Sequence, residues 1–342
     1  MGKLSFWEFV KNQRAEPLPV KHRDLTGQTV LVLGANTGLG FEAAKHFARM
    51  KPERLILACR NQRKGDQALQ ELRKETGYAG GEVRIVDLAD FASVTKFAEK
   101  FNEEVLRLDI FVANAGMTSM KFEATKDGHE SILQVNHLAT SLLCLLLLPK
   151  LAQSSQAKTD RRPRLTIVAS ETHFWTKFDA EATESDNLLE KLSNEEYSQK
   201  KIRDRYPQSK MLNILFTRAL ASYLPVSSSP VVVDAVNPGF CYSSIRADLP
   251  WFVRMMTSLM ERFLPARTTE VGSRQLVWAA LEGGDKGVHG QYVSDFKAQE
   301  PSDYIMESAD LQERVWDETI RLLAKVDPKV SGIVQKLKSG EL

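Results

Sequence analysis

The chain has 342 residues, with 46 Lys plus Arg against 44 Asp plus Glu, a formal net charge of +2, and 43% apolar residues. That balance speaks against a nucleic-acid partner held by bulk charge, and the apolar share suits a globular protein with a full core. Three widely spaced cysteines, Cys59, Cys144 and Cys241, fit no metal-ligand pattern, so a reduced, cytoplasmic protein is expected.

In chain order, residues 1–25 form an N-terminal extension without the long apolar region of a signal peptide. The start MGKLSF is a near miss for a myristoylation signal, because Phe6 stands where Ser or Thr is required. LSFWEFV leaves room for weak contact with a membrane surface. Short β-like runs then alternate with helical patterns: TVLVL (29–33), RLILA (54–58), EVRIV (82–86), DIFVA (109–113), RLTIVA (164–169), VVVDAV (231–236) and QYV (291–293). Helices are expected near 38–50, 62–75, 91–106 and 130–150. The alternation predicts an α/β fold, a Rossmann-type doubly wound parallel sheet of about seven strands flanked by helices. The most apolar segment, LATSLLCLLLLP (138–149), is too short to span a bilayer. Residues 171–205 are the least regular part. Residues 296–342 read as a helical extension docked on a core of 26–295, the whole chain forming one domain.

The turn from the first strand into the first helix carries Gly34, Gly38 and Gly40, with Asn36, Thr37 and Leu39 between them. Bare backbone at that place lets a dinucleotide pyrophosphate approach, and the helix N-terminus supplies N–H donors and partial positive charge. Asn36 and Thr37 can add side-chain donors. The spacing is Gly-x-x-x-Gly-x-Gly, not the common Gly-x-Gly-x-x-Gly fingerprint.

GANTGLG resembles the cofactor loop of the short-chain dehydrogenase/reductase family, and further motifs of that family follow in order. ANAG carries Asn114, Ala115 and Gly116; QVNHLA carries Asn136; IVAS ends in Ser170; YPQSK holds Tyr206 and Lys210; NPG holds Pro238 and Gly239. Six motifs spread over residues 25–295 make the resemblance specific. LACRNQRKG and YPQSKMLNILFTRAL resemble the retinol-dehydrogenase-like branch, near which fungal oxidoreductases also fall. Two departures stand out. Leu33 and Ala113 replace polar residues that in the family help join the first and fourth strands, so a packed contact is expected there.

After the second strand, Cys59-Arg60-Asn61 offers no acid for a ribose 2′-hydroxyl. Arg60, assisted by Arg63 and Lys64, can instead pair with a 2′-phosphate, which favours NADP(H). By the resemblance, Asp87 and Leu88 lie where the adenine ring is held.

Hydride transfer to a carbonyl needs a proton donor for the developing alkoxide and a group that polarises the oxygen. The resemblance assigns the proton to Tyr206 and the hydrogen bond on the substrate oxygen to Ser170. It assigns the cation that lowers the Tyr206 pKa to Lys210, one helical turn away, and a bridging water to Asn136. Tyr197 and Lys201 share the Tyr-x-x-x-Lys spacing. Only Lys210, however, leads into a long apolar-periodic helix, and Pro207 suits the start of that helix. His173 is expected to line the pocket or lie on the surface.

The segment 240–267 corresponds to the family's substrate lid, with Ser243 placed to contact the nicotinamide carboxamide. Phe240, Trp251, Phe252, Met255, Met256 and Met260 make it apolar. Three readings stay open for this segment: an ordinary core helix, a pocket for a lipophilic small molecule, or shallow membrane docking. The function expected is an NADP(H)-dependent carbonyl reductase or alcohol dehydrogenase, as a monomer or homodimer. The alternative is an NADP(H)-binding sensor on the same fold.

Overall fold

The computed structural model describes residues 4–155, 162–225, 229–242, 245, 255 and 266–342. Its strands are β1 (Thr29–Leu33), β2 (Arg54–Cys59), β3 (Gly81–Ile85), β4 (Ile110–Ala113), β5 (Arg164–Val168), β6 (Val232–Val236), β7 (Tyr292–Ser294) and β8 (Lys297–Gln299). They join one sheet in the order β3-β2-β1-β4-β5-β6-β7-β8, parallel from β3 to β7, with β8 antiparallel. The sheet reverses direction of growth between β1 and β4, the switch point at which α/β folds bind ligands.

The central strands are buried along their whole length and mostly apolar because both sheet faces are covered. Side chains alternate between two cores. Leu31 and Leu33 join one with α4 (Phe91–Glu104), α5 (Ser131–Ser154) and α6 (Glu195–Ser222). Val30 and Val32 join the other with α2 (Gly38–Arg49), α3 (Gln62–Thr76) and α7 (Thr269–Leu281). The C-terminal helices α8 (Ala309–Val326) and α9 (Lys329–Ser339) pack on α6 and α5 respectively. The N-terminal helix α1 (Phe6–Arg14) begins in a capping box made by Ser5 and Glu8; its Phe6 and Trp7 are exposed and its Phe9 is buried.

Four expectations need correction. The sheet has eight strands: β8 is the polar run Lys-Ala-Gln, held to β7 by a turn whose Asp295 and Phe296 both take positive φ, as a type I′ hairpin requires. The apolar segment 138–149 belongs to a helix of 24 residues, long and apolar enough to cross a membrane; 94% of its most apolar window is buried inside the protein, as a core helix would be. The irregular stretch 171–205 is ordered into short helices at Ala180–Thr183 and Leu188–Ser193 and the start of α6. Asp179, Asn187 and Asn194 cap these by accepting backbone N–H groups. Pro207 lies inside α6 and does not open it. The helix breaks upstream, at Lys201 (φ −120°, ψ 17°). Ser243, Trp251, Phe252, Met256 and Met260, with most of the segment 240–267, lie outside the described residues.

Candidate active site

The loop after β1 is built on close backbone approach. Gly34 has φ 77°, and a Cβ on it would stand 2.8 Å from Ala115 Cα. A Cβ on Gly40 would meet both Asn114 Nδ2 and the Gly34 carbonyl at 2.4 Å. Thr37 makes no side-chain cap on α2, and the first turn of α2, with Gly38, Leu39 and Gly40, holds no acidic residue. The leading N–H groups of α2 thus have no side-chain acceptor from the cap, and Asn36 and Thr37 stand beside them at the switch point. A pyrophosphate fits this bare, uncapped cradle.

Asn114 does work that its motif position did not reveal. Its Nδ2 donates to the Leu33 carbonyl at 3.1 Å and to the Gly34 carbonyl at 3.2 Å. Leu33 and Ala113 pair in register, both buried, as the apolar contact expected there. The polar join between β1 and β4 has moved one residue on, to Asn114.

At the end of β2, Arg60, Asn61, Arg63 and Lys64 are exposed. Asn61 caps α3, accepting the Lys64 N–H at 3.0 Å. Arg60 is the cation placed directly after the strand, with no acid beside it in sequence. Asp87 follows β3, and its carboxylate accepts the Ala89 N–H at 3.0 Å. The carbonyl of the buried Leu88 accepts from Gln134 Nε2. Both sit next to the β2 end, since the Val86 N–H donates to the Cys59 carbonyl.

Lys210, Asn136 and Gly116 come together at the ends of β4 and β5. A Cβ on Gly116 would lie 3.3 Å from Asn136 Oδ1 and 3.4 Å from Lys210 Nζ. Lys210 is buried, and its Nζ donates to the Val168 carbonyl at 2.8 Å, two residues before Ser170. The same Nζ lies 5.9 Å from the Tyr206 ring centroid. Burial pushes the Lys210 ammonium down to about 8. Ser170 ends the extended chain and caps the 3-10 turn Glu171–Trp175; its Oγ accepts from the Thr172 N–H at 3.3 Å and the Thr172 hydroxyl at 3.1 Å. Asn136 sits in a π-helical turn of α5 (Gln134–Leu138). Its Oδ1 accepts the Met117 N–H at 2.7 Å, and its Nδ2 donates to the Met117 carbonyl and to Ser209 Oγ, both at 2.9 Å. Asn136 therefore joins the post-β4 loop to α6.

A buried ion pair beside Tyr206 lay outside the sequence reading. Arg205, fully buried, pairs with the equally buried Glu130 at 3.5 Å, while Glu130 caps α5 by accepting the Ile132 and Leu133 N–H groups. This anchors the Tyr206 turn to the helix bearing Asn136. The decoy pair is spent on structure: the Tyr197 hydroxyl donates to Asp179 Oδ1 at 2.9 Å and Lys201 pairs with Asp179 at 3.1 Å. His173 is neither on the surface nor titrating near neutrality. It is fully buried, accepts the Ser302 N–H on Nε2 at 3.2 Å, and so donates from Nδ1 to the Ser170 carbonyl at 2.7 Å. Burial pushes it down to about 4.

Beyond β6, Asn237 links the Ser170 and Gly239 segments. Its Oδ1 accepts the Glu171 N–H at 3.2 Å and the Gly239 N–H at 3.1 Å, and its Nδ2 donates to Glu171 Oε2 at 3.1 Å. Pro238 is buried and Gly239 has φ 81°. An acid directly after Ser170 and an Asn directly before Pro238 were the only sequence signals for this link.

A doubly wound parallel sheet with a bare glycine loop at its switch point defines a Rossmann-type α/β protein. The family model described as short chain dehydrogenase matches residues 28–159. A short chain dehydrogenase/reductase of Cryptosporiopsis sp. is 35% identical over 331 residues, covering 94% of this chain and 98% of that protein. A short chain dehydrogenase of Gibberella zeae is 34% identical over 346 residues, covering 100% of this chain and 98% of the relative. Among solved structures, a short chain dehydrogenase from Shigella flexneri complexed with NADP superposes with a TM-score of 0.57 at 22% identity, covering 80% of this chain and 98% of that one. The chain belongs to the short-chain dehydrogenase/reductase family of oxidoreductases and is similar to its fungal members.

Proposed function

We propose that the protein is an NADP(H)-dependent oxidoreductase that interconverts a carbonyl and an alcohol on a lipophilic small molecule, with Tyr206 as acid and base. The observation that carries this reading is the buried Lys210 ammonium, fixed by the Val168 carbonyl beside the Tyr206 ring. When bound, the nicotinamide supplies or accepts the hydride. In reduction the Tyr206 hydroxyl gives its proton to the substrate oxygen as negative charge develops there. The Lys210 ammonium stabilises the tyrosinate left behind. Ser170 Oγ, used as an acceptor by Thr172, keeps its own hydrogen to donate to the same oxygen. Arg60 at the β2 end supports NADP(H) over NAD(H), and the NADP complex of the Shigella flexneri neighbour agrees with that choice. The apolar composition of segment 240–267 supports a lipophilic substrate.

The test is nicotinamide absorbance with NADPH and with NADH against aromatic and long-chain aldehydes and ketones. Tyr206→Phe should lose about 10²–10⁴-fold in kcat/KM, the range for a positioned proton donor, while NADPH affinity holds. Turnover undiminished in that variant would remove Tyr206 from the chemistry. Faster turnover with NADH would remove the cofactor assignment.

A further inference from the structure

Helix α1 bears on the candidate site at two points, although it lies at the far end of the sequence. Gln13, buried, donates from Nε2 to the Phe240 carbonyl at 2.8 Å and accepts the Phe240 N–H on Oε1 at 3.2 Å. Its amide meets both backbone groups of one residue, as a neighbouring strand would. Phe240 directly follows Gly239, whose missing Cβ makes the approach possible: a Cβ there would lie 2.7 Å from Gln13 Oε1 and 2.8 Å from Arg267 Nη1. Arg267 extends the join. Its Nη2 donates to the Asn12 carbonyl at 2.7 Å and to Asp295 Oδ1 at 2.8 Å, and its backbone pairs with Phe240 and Tyr242.

The second point is Phe9, one helical turn before Gln13. Its ring stands edge-on to Trp175 at 5.7 Å and to Phe240 at 6.4 Å. Trp175 closes the 3-10 turn that Ser170 caps. Phe9 is buried, and these two rings are aromatic neighbours it meets on the loops. Helix α1 therefore spans from the Ser170 turn to the loop after β6, on top of the Glu171–Asn237 link that joins the same two segments.

We propose that α1 is a brace of the active site and that Gln13 is a positioning residue, holding the Pro238–Phe240 loop in register with the Ser170 turn. This rests on the oxidoreductase reading above: one segment would border the nicotinamide and the other would hold the substrate oxygen, so their spacing sets the alignment of the reacting partners. Gln13 touches neither reactant and acts through the Phe240 backbone.

The test uses the full-length chain with Gln13→Ala and Gln13→Glu, the latter keeping an acceptor for the Phe240 N–H and losing the donor to its carbonyl. In Gln13→Ala, hydrogen exchange of the Phe240 amide should accelerate about tenfold or more, because that N–H loses its partner. kcat for carbonyl substrates should fall about tenfold at a melting temperature close to wild type, with KM within about threefold, as misaligned reactants predict. Gln13→Glu should fall between the two in exchange rate. Unchanged Phe240 exchange in Gln13→Ala would overturn the proposal, as would an unaltered kcat or a kcat loss matched by loss of folded protein in thermal melts. A wild-type protein silent toward every carbonyl would instead sink the oxidoreductase reading, and the exchange comparison would then decide the brace alone.

Discussion

A buried ammonium keeps its proton less readily than one in water, and burial brings Lys210 to about 8. Below that pH the charge beside Tyr206 is present; above it Lys210 is neutral and the tyrosinate loses its stabilising partner. Reductive kcat/KM should therefore hold at lower pH and fall as pH rises through about 8. A pH–rate profile of the free enzyme checks this, and a profile flat across that range would contradict it. The exposed Arg60 acts on a different quantity. A charge-assisted hydrogen bond contributes about 1.5–3 kcal/mol, so Arg60→Ala should raise KM for NADPH by roughly 10–150-fold and leave KM for NADH nearly unchanged. Equal effects on both cofactors would mean that Arg60 does not read a 2′-phosphate. The places of Arg60 and Lys210 were legible because one directly follows a strand and the other leads into a long apolar-periodic helix. Gln13, Arg205 and Glu130 were not. An amide that grips a backbone 227 residues away leaves no local pattern, and a fully buried arginine looks in sequence like part of a charged surface run.

Among the elements, the central strands β1, β4, β5 and β6 stood out because parallel strands covered on both faces are mostly apolar. Strand β8 escaped notice because a three-residue polar edge needs only its turn. Helix α5, expected near 130–150, runs Ser131–Ser154; only its apolar stretch was read too short, since the polar residues flanking it belong to the same helix. Its π-helical turn carries His137, fully buried between Asn213 Oδ1 at 3.4 Å and Thr319 Oγ1 at 3.1 Å. With a carbonyl oxygen facing Nδ1, the ring donates there and accepts the Thr319 hydroxyl on Nε2. Burial pushes His137 down to about 4 from 6.5. A depressed folded-state value means that its stabilising contribution is full above 6.5 and is lost as pH falls toward and through 4. By linkage the loss from this one ring reaches about 2 kcal/mol at about pH 5. His137→Gln should lower stability near neutrality yet shrink the drop between about pH 7.5 and about pH 5 by roughly that amount, as read from urea unfolding. An undiminished drop would show that His137 does not govern the acid response.

At the scale of the whole molecule, both extensions touch the Ser170 turn, the N-terminal one through Phe9 and Trp175 and the C-terminal one through Ser302 and His173, while the C-terminal helices also cover part of the core. Trp316 of α8, 1% exposed, stacks on Phe216 at 5.5 Å and packs on Tyr223 at 5.2 Å, both from the end of the Tyr206 helix and its cap. Leu323, Ile333 and Leu337 add to the same core. Association through the helices beside the sheet needs an open apolar face, and on this chain α8 and α9 already lie over α6 and α5. A stable homodimer buries about 1,200–2,000 Å² in a complementary interface, and the covered faces of α5 and α6 cannot supply it. Light scattering on the full-length chain should therefore give a particle near 38.5 kDa. Removing residues 309–342 should bare Phe216 and the lower face of α5 and drive self-association, because contiguous apolar patches of several hundred Å² rarely stay exposed on monomers. A full-length particle of twice the monomer mass would overturn this reading of the C-terminal helices.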